Sequence, residues 1–194
     1  MEYEVIRSKR KTITMQLRPD GTLLVRAPLR MSTARIRAFV AENQGWLEKA
    51  RRRAAAVRQE AVSEGLLTQE DLKALTGEAK RVIPERVAYY APLVGVSYGR
   101  ITIRRQKTRW GSCSAAGNLN FNCLLMLTPP EVLDSVVVHE LCHRREMNHS
   151  KRFYAEVLRV YPDYYACHRW LKQHGAALLA RMEAAEEDGT GDGI

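Results

Sequence analysis

Residues 136–150, VVVHELCHRREMNHS, constrain the fold more than any other stretch. Three successive valines lower helix propensity and are tolerated in a helix mainly where it is buried. Thr128-Pro129-Pro130-Glu131 nevertheless starts a helix, with Thr128 as N-cap, Pro129 at the first helical position and Glu131 three residues after the cap. The pattern predicts a buried helix from Pro129 to about Met147. Asn148 would end it in a left-handed conformation, and Ser150 would cap a following helix. Such a helix carries His139, Glu140 and His143 into an interior where polar groups must be satisfied.

The spacing says what can satisfy them. Residues four apart on a helix lie about 40° apart around its axis and about 6 Å along it, so the imidazoles of His139 and His143 can meet one ion. Glu140 sits farther round the same flank, able to reach a water without having to bind the metal. This is the mechanical content of H-E-x-x-H. His149 follows six residues after His143, and a sharply turning chain would return it as a third ligand, leaving a fourth tetrahedral position for water. The expected cofactor is one zinc ion, with His139, His143 and His149 as ligands and Glu140 as catalytic base. Zinc lowers the pKa of its water to about 7 and polarises the attacked carbonyl or phosphoryl oxygen, so the reaction class is metal-assisted hydrolysis.

The rest of the chain supplies the frame. YEVIRSKRKTITMQLRPDGTLLVRAP alternates apolar and polar residues around RPDG, which predicts a hairpin of Thr12 to Leu17 with Thr22 to Ala27. A helix is expected from about residue 33 to 57. A second, opened by Thr68 with Asp71 as a capping box, should reach about Tyr90 with Pro84 as a kink. Ile101 to Arg105 and NLNFNCLLML at 118–127 read as two strands of a second hairpin. Helices should follow from Ser150 to Val160 and from Pro162 or Asp163 to about Glu187. The fold class is α+β: a small antiparallel sheet with an active-site helix and backing helices, plus an N-terminal hairpin and helix. Expected divisions are residues 1–64, a catalytic domain at 65–187 and an acidic tail at 188–194.

No window approaches the eighteen or so apolar residues of a membrane helix, and no secretory signal is visible, so a cytoplasmic location is expected. Cys113, Cys123, Cys142 and Cys167 form no C-x-x-C pair and suit a reducing compartment. The net charge of +9 is uneven, with +8 on residues 1–60 and +5 on residues 99–160. A phosphate-bearing or nucleic-acid partner is one reading of that excess, and a solvated basic face is the other.

The run RRQKTRWGSCSAAGNLNFNCLLMLTPPEVLDSVVVHELCHRREMNHSKRFYAEV resembles the signature of the YgjP-like metallopeptidase family, zincins distantly similar to SprT-type proteases. SKRKTITMQLRPDGTLLVRAP is similar to the family's N-terminal hairpin. The resemblance implies a zincin-like fold and assigns His139, His143 and His149 as ligands and Glu140 as base. It also implies that the 118–126 strand borders the cleft, where an extended peptide or unfolded protein could pair by strand addition. Metzincins share the histidine spacing, but they carry Gly where this chain has Glu146, and no downstream Met-turn is evident.

Other residues have a functional and a plain reading. Arg104, Arg105, Lys107 and Arg109 could bind phosphate or a substrate carboxylate, or be a solvated strand face. Ser112 and Cys113 could serve the site or only its turn. Tyr164 and Tyr165 could donate to an oxyanion, or be core. Glu156 is the rival third ligand, and Glu146 could orient His143. His168 and His174 lack ligand spacing. A zinc-dependent peptidase is the expected function. The alternatives are a metal-dependent phosphohydrolase, such as a nucleoside triphosphate pyrophosphatase, and a nucleic-acid-associated protein with a zinc site.

Overall fold

The computed structural model describes residues 2–18 and 21–188, with side chains as far as Met182. The chain is α+β and divides into two compact units, residues 1–60 and 61–194.

In the first unit, strands β1 (Glu4–Ser8), β2 (Thr14–Leu17) and β3 (Leu23–Pro28) form a sheet of order β1-β3-β2. The predicted hairpin is β2 with β3, antiparallel from Thr14↔Arg26 to Leu17↔Leu23. Pro19 and Asp20 of its turn lie outside the described residues, as do residues 189–194 of the expected acidic tail. β1 was not expected. It pairs parallel to β3, which makes β3 the central strand, and Leu23, Val25 and Ala27 are buried against Ile36, Val40 and Leu47.

The single helix expected over 33–57 is two, α1 (Thr33–Glu42) and α2 (Gln44–Ser63). Ser32 caps the first by accepting from the Arg35 amide at 3.2 Å. Asn43 divides them, because its side-chain amide donates to the Phe39 carbonyl at 2.8 Å and competes with the helical ladder.

The second unit begins with α3 (Gln69–Val94), whose capping box is made as expected: Asp71 N donates to Thr68 Oγ1, and Thr68 N to Asp71 Oδ2. The helix passes Pro84 and Pro92 and stops at Gly95, whose φ of 77° only glycine adopts freely. Then come β4 (Ile101–Arg104), β5 (Gly111–Cys113) and β6 (Leu119–Asn122), in the order β4-β6-β5.

This corrects the second hairpin and the sense of the sheet. β4 runs parallel to β6, and the antiparallel partner of β6 is β5, so the sheet is mixed. β5 is only Gly-Ser-Cys, with no alternation to reveal it. It also corrects the peptide-binding strand, because β6 is central and both of its edges are already paired. The strand expected to 126 ends at Asn122. Its side-chain oxygen accepts from Leu124 N at 3.1 Å, its amide donates to the Gln106 and Arg109 carbonyls, and residues 123–127 coil into a 3₁₀ turn.

Helices α4 (Pro130–Cys142), α5 (Lys151–Val160) and α6 (Tyr164–Asp188) complete the unit. Ten of the thirteen α4 residues are buried, including Val136, Val137 and Val138, which is why the valine run is tolerated there. Asp134 anchors α4 to α3: Arg86 donates to its two oxygens at 2.7 and 2.6 Å, and the Tyr90 hydroxyl donates at 3.0 Å.

Candidate metal centre

α4 stops at Cys142, about five residues before the expected end, and His143 caps it. Its start also differs. The Thr128 hydroxyl donates to the Leu125 carbonyl at 2.8 Å instead of capping, and Pro129 takes the N-cap position without a side-chain bond. Beyond Cys142 the chain turns back, with the Arg145 and Glu146 amides donating to the Cys142 carbonyl at 3.0 and 3.1 Å. Asn148 does not adopt a left-handed conformation, since no non-glycine residue among those described has positive φ. Its side-chain oxygen instead accepts from Ser150 N at 3.0 Å, and Ser150 Oγ accepts from Phe153 N at 3.3 Å, starting α5 as expected.

That turn delivers His149 to the two histidines of α4. His139 Nε2 lies 3.2 Å from His143 Nε2 and 3.1 Å from His149 Nε2, and the ligand atoms of all three fall within 4.8 Å of one another. Nitrogens about 2.0–2.1 Å from one tetrahedral ion would be about 3.3 Å apart, which both distances from His139 match. Phe153, fully buried, holds the three rings together, with centroid distances of 4.8, 4.5 and 4.9 Å to His139, His143 and His149.

The donor chemistry fits a cation as well. His143 Nδ1 lies 3.1 Å from the Glu146 carbonyl, which can only accept, so the proton of neutral His143 is on Nδ1 and its Nε2 presents a lone pair. Burial pushes His139 down to about 3, with His143, His149 and His168 adding to the effect. Burial lowers His143 too, against the Glu146 carbonyl. Burial thus favours the neutral form of His139 and His143, the form that ligates a metal.

Glu140 is 5% exposed, and its Oε2 has no hydrogen-bond partner. Burial raises its carboxyl to about 8, opposed by the charge of Arg109. Gly111 of β5 lies directly against this carboxyl. The site thus places a buried group with a free oxygen and an elevated proton affinity beside the histidine cluster.

The remaining candidates separate. Glu146 meets His143 through its main-chain oxygen, not its carboxylate. Glu156 is paired with Arg145 at 3.4 Å and Arg159 at 3.0 Å, outside the histidine cluster. The Tyr164 hydroxyl is 2.8 Å from His139 Nδ1, while Tyr165 is exposed. His168 stacks on Tyr164, and His174 lies against Trp170.

Ser112 Oγ accepts from the Asn120 amide at 3.2 Å, and the Cys113 thiol is raised by burial and by the charge of Glu140. Arg105 donates to Gln69, Lys107 and Arg109 are exposed, and Arg104 lines a groove of about 510 Å³ beside β4 with Lys80 and Arg100. Phe153 and Gly111 were not singled out from sequence. The spacing of Phe153 and Val157 along α5 marks Phe153 as core, but nothing local marks it as the packing partner of the histidines.

The profile of the YgjP-like metallopeptidase domain family matches residues 11–78 and 68–174. Among solved structures, the abylysin metallopeptidase zymogen of Pyrococcus abyssi is similar, with a TM-score of 0.43 and 19% identity over 47% of this chain and 94% of that one. The jannalysin metallopeptidase zymogen of Methanocaldococcus jannaschii gives 0.42 and 20%, over 47% and 94%. Comparison with curated proteins gives no match.

Proposed function

Because the chain belongs to the YgjP-like metallopeptidase family, we propose that it hydrolyses peptide bonds with one zinc ion held by His139, His143 and His149, and with Glu140 as the base. The observation that carries this reading is the convergence of three imidazole Nε2 atoms beside the unpartnered Oε2 of buried Glu140.

Zinc, when bound, supplies Lewis-acid polarisation of a carbonyl and acidifies water to a pKa of about 7. Glu140 accepts a proton from the attacking water at Oε2 and passes it to the leaving amine nitrogen. Burial favours the protonated carboxyl, the form that carries the proton between the two. Gly111 leaves the space that this carboxyl occupies.

We place the substrate on the open edge of β5. Residues 110 with 122 and 114 with 118 are the hydrogen-bonded pairs across β5 and β6. Gly111 and Cys113 therefore turn their backbone groups away from β6, next to Glu140, where an extended peptide can add as a strand. The four free thiols suit a reducing, cytoplasmic compartment. No helix among the described residues is long and apolar enough to cross a membrane. We keep residues 65–187 as the catalytic part.

The test is a panel of unfolded proteins, extended peptides and nucleoside triphosphates, incubated with the zinc-loaded chain with and without chelator. Peptide cleavage that chelator abolishes is expected, and Glu140→Gln should retain zinc while losing about 10²- to 10⁴-fold in turnover. Turnover of triphosphates alone would sink the peptidase reading.

A further inference from the structure

We propose that the free edge of β4 is a docking site for an extended acidic segment of another protein, which adds to the sheet as a further strand. This edge lies across the sheet from β5, since the strand order is β4-β6-β5. It borders a groove of about 510 Å³ that Lys80 and Pro84 of α3 also line.

The backbone fixes the shape of the occupant. Leu119 N of β6 donates to the Arg100 carbonyl at 2.9 Å, and Ile101 is the parallel partner of Leu119. In a parallel ladder the bonds then fall on Arg100, Thr102 and Arg104, while Ile101 and Ile103 turn their N–H and C=O groups to the open edge. Neither finds a backbone partner there among the described residues. Such a row of unpaired groups is a template for one more strand. Pro84 adds an acceptor, because it has no N–H to give the Lys80 carbonyl one turn earlier in α3.

The side chains fix its charge. Ile101 and Ile103 pack on the core, so Arg100, Thr102 and Arg104 face the other way. Arg100 and Arg104 are exposed, with about 13 Å of extended strand between them. No acidic side chain lines the groove, and neither these two arginines nor Lys80 makes an ion pair among the described residues. A strand paired to β4 presents every second side chain to the arginine face, so carboxylates at alternate positions meet Arg100 and Arg104 across the edge. The residues between them turn toward α3 and Pro84 and are apolar. A nucleic acid has the charge but no strand backbone to offer Ile101 and Ile103.

The test is fluorescence anisotropy with a short labelled peptide of alternating glutamate and valine, added to the full chain with chelator present. Saturable binding that weakens as salt rises is expected. Glutamine in place of the glutamates should weaken it about 10-fold, and so should Arg100→Glu with Arg104→Glu in a chain whose circular dichroism is that of the wild type. Methyl groups on the nitrogens of one alternate set of peptide residues should abolish binding and on the other set spare it, because only every second N–H faces β4. Absence of binding, equal affinity for the glutamine peptide, or indifference to both methylated sets would overturn the proposal whether or not the charge-reversed chain folds. Displacement of the peptide by a more tightly bound single-stranded oligonucleotide would overturn it in favour of a polyanion surface. No metal enters the assay, so the outcome is independent of the peptidase reading.

Discussion

Gly111 and Glu140 are in such close apposition that a Cβ on Gly111 would lie 2.6 Å from Glu140 Oε1 and 2.7 Å from its Cγ. The contact joins the edge strand to α4 and leaves the carboxyl no room for a larger neighbour. Gly111→Ala must displace the carboxyl we propose as the base, and a shift of about 1 Å at a reacting group costs on the order of 10²-fold. Activity is therefore expected to fall about 10²-fold while zinc stoichiometry stays at wild-type level. Steady-state kinetics beside metal analysis check this, and full activity would show that the carboxyl tolerates the displacement.

The metal-free chain should have a two-sided pH dependence. Glu140 is held near 8 against its ordinary 4.5, so the fold keeps a proton that the unfolded chain has released. Its stabilising preference is complete below 4.5 and is lost as pH rises through 8. His139 acts in the opposite direction: its neutral form is favoured in the fold down to about 3 against 6.5, so stability is lost as pH falls below 6.5. Glu140→Gln removes only the alkaline limb. The melting-temperature advantage of the variant over wild type, both without metal, should grow from about pH 5 to about pH 9. A difference independent of pH would exclude a raised carboxyl.

Phe153 is the common wall of the three histidine rings and is fully buried. Phe153→Ala should cost about 3–5 kcal/mol of stability in urea melts. It should also weaken zinc binding, because the rings lose the surface that orients them. Phe153→Leu, filling most of the space, should recover most of the stability. Equal losses in both variants would argue against a packing role.

Asp134 accepts from Arg86 and Tyr90 and is mostly buried, while the Arg86 side chain remains 37% exposed. Asp134→Ala should destabilise the chain by about 2 kcal/mol, since it leaves a guanidinium and a phenol without their acceptor. The double replacement Arg86→Met with Asp134→Leu should be less harmful than Asp134→Ala alone. A chemical-denaturation double-mutant cycle gives the coupling, and additive effects would remove the clamp from the account.

What the sequence by itself determined was local. Histidines four apart on a helix face one way whatever surrounds them, and a buried valine-rich helix has to satisfy its imidazoles. Thr68 with Asp71 and Ser150 before Phe153 cap their helices through bonds that span three residues. Tertiary structure decided what depends on distant chain. A three-residue β5 has no periodicity, so only its pairing with Leu119–Phe121 reveals it, and its presence moves the open sheet edge from β6 to Gly111 and Cys113. The return of His149 depended on the turn beyond Cys142, where side-chain bonds of Asn148 and Ser150 replaced the left-handed residue expected. Phe153 and Tyr164 met the histidines from later helices, 14 and 25 residues from His139, because burial and packing act between surfaces that no sequence window contains.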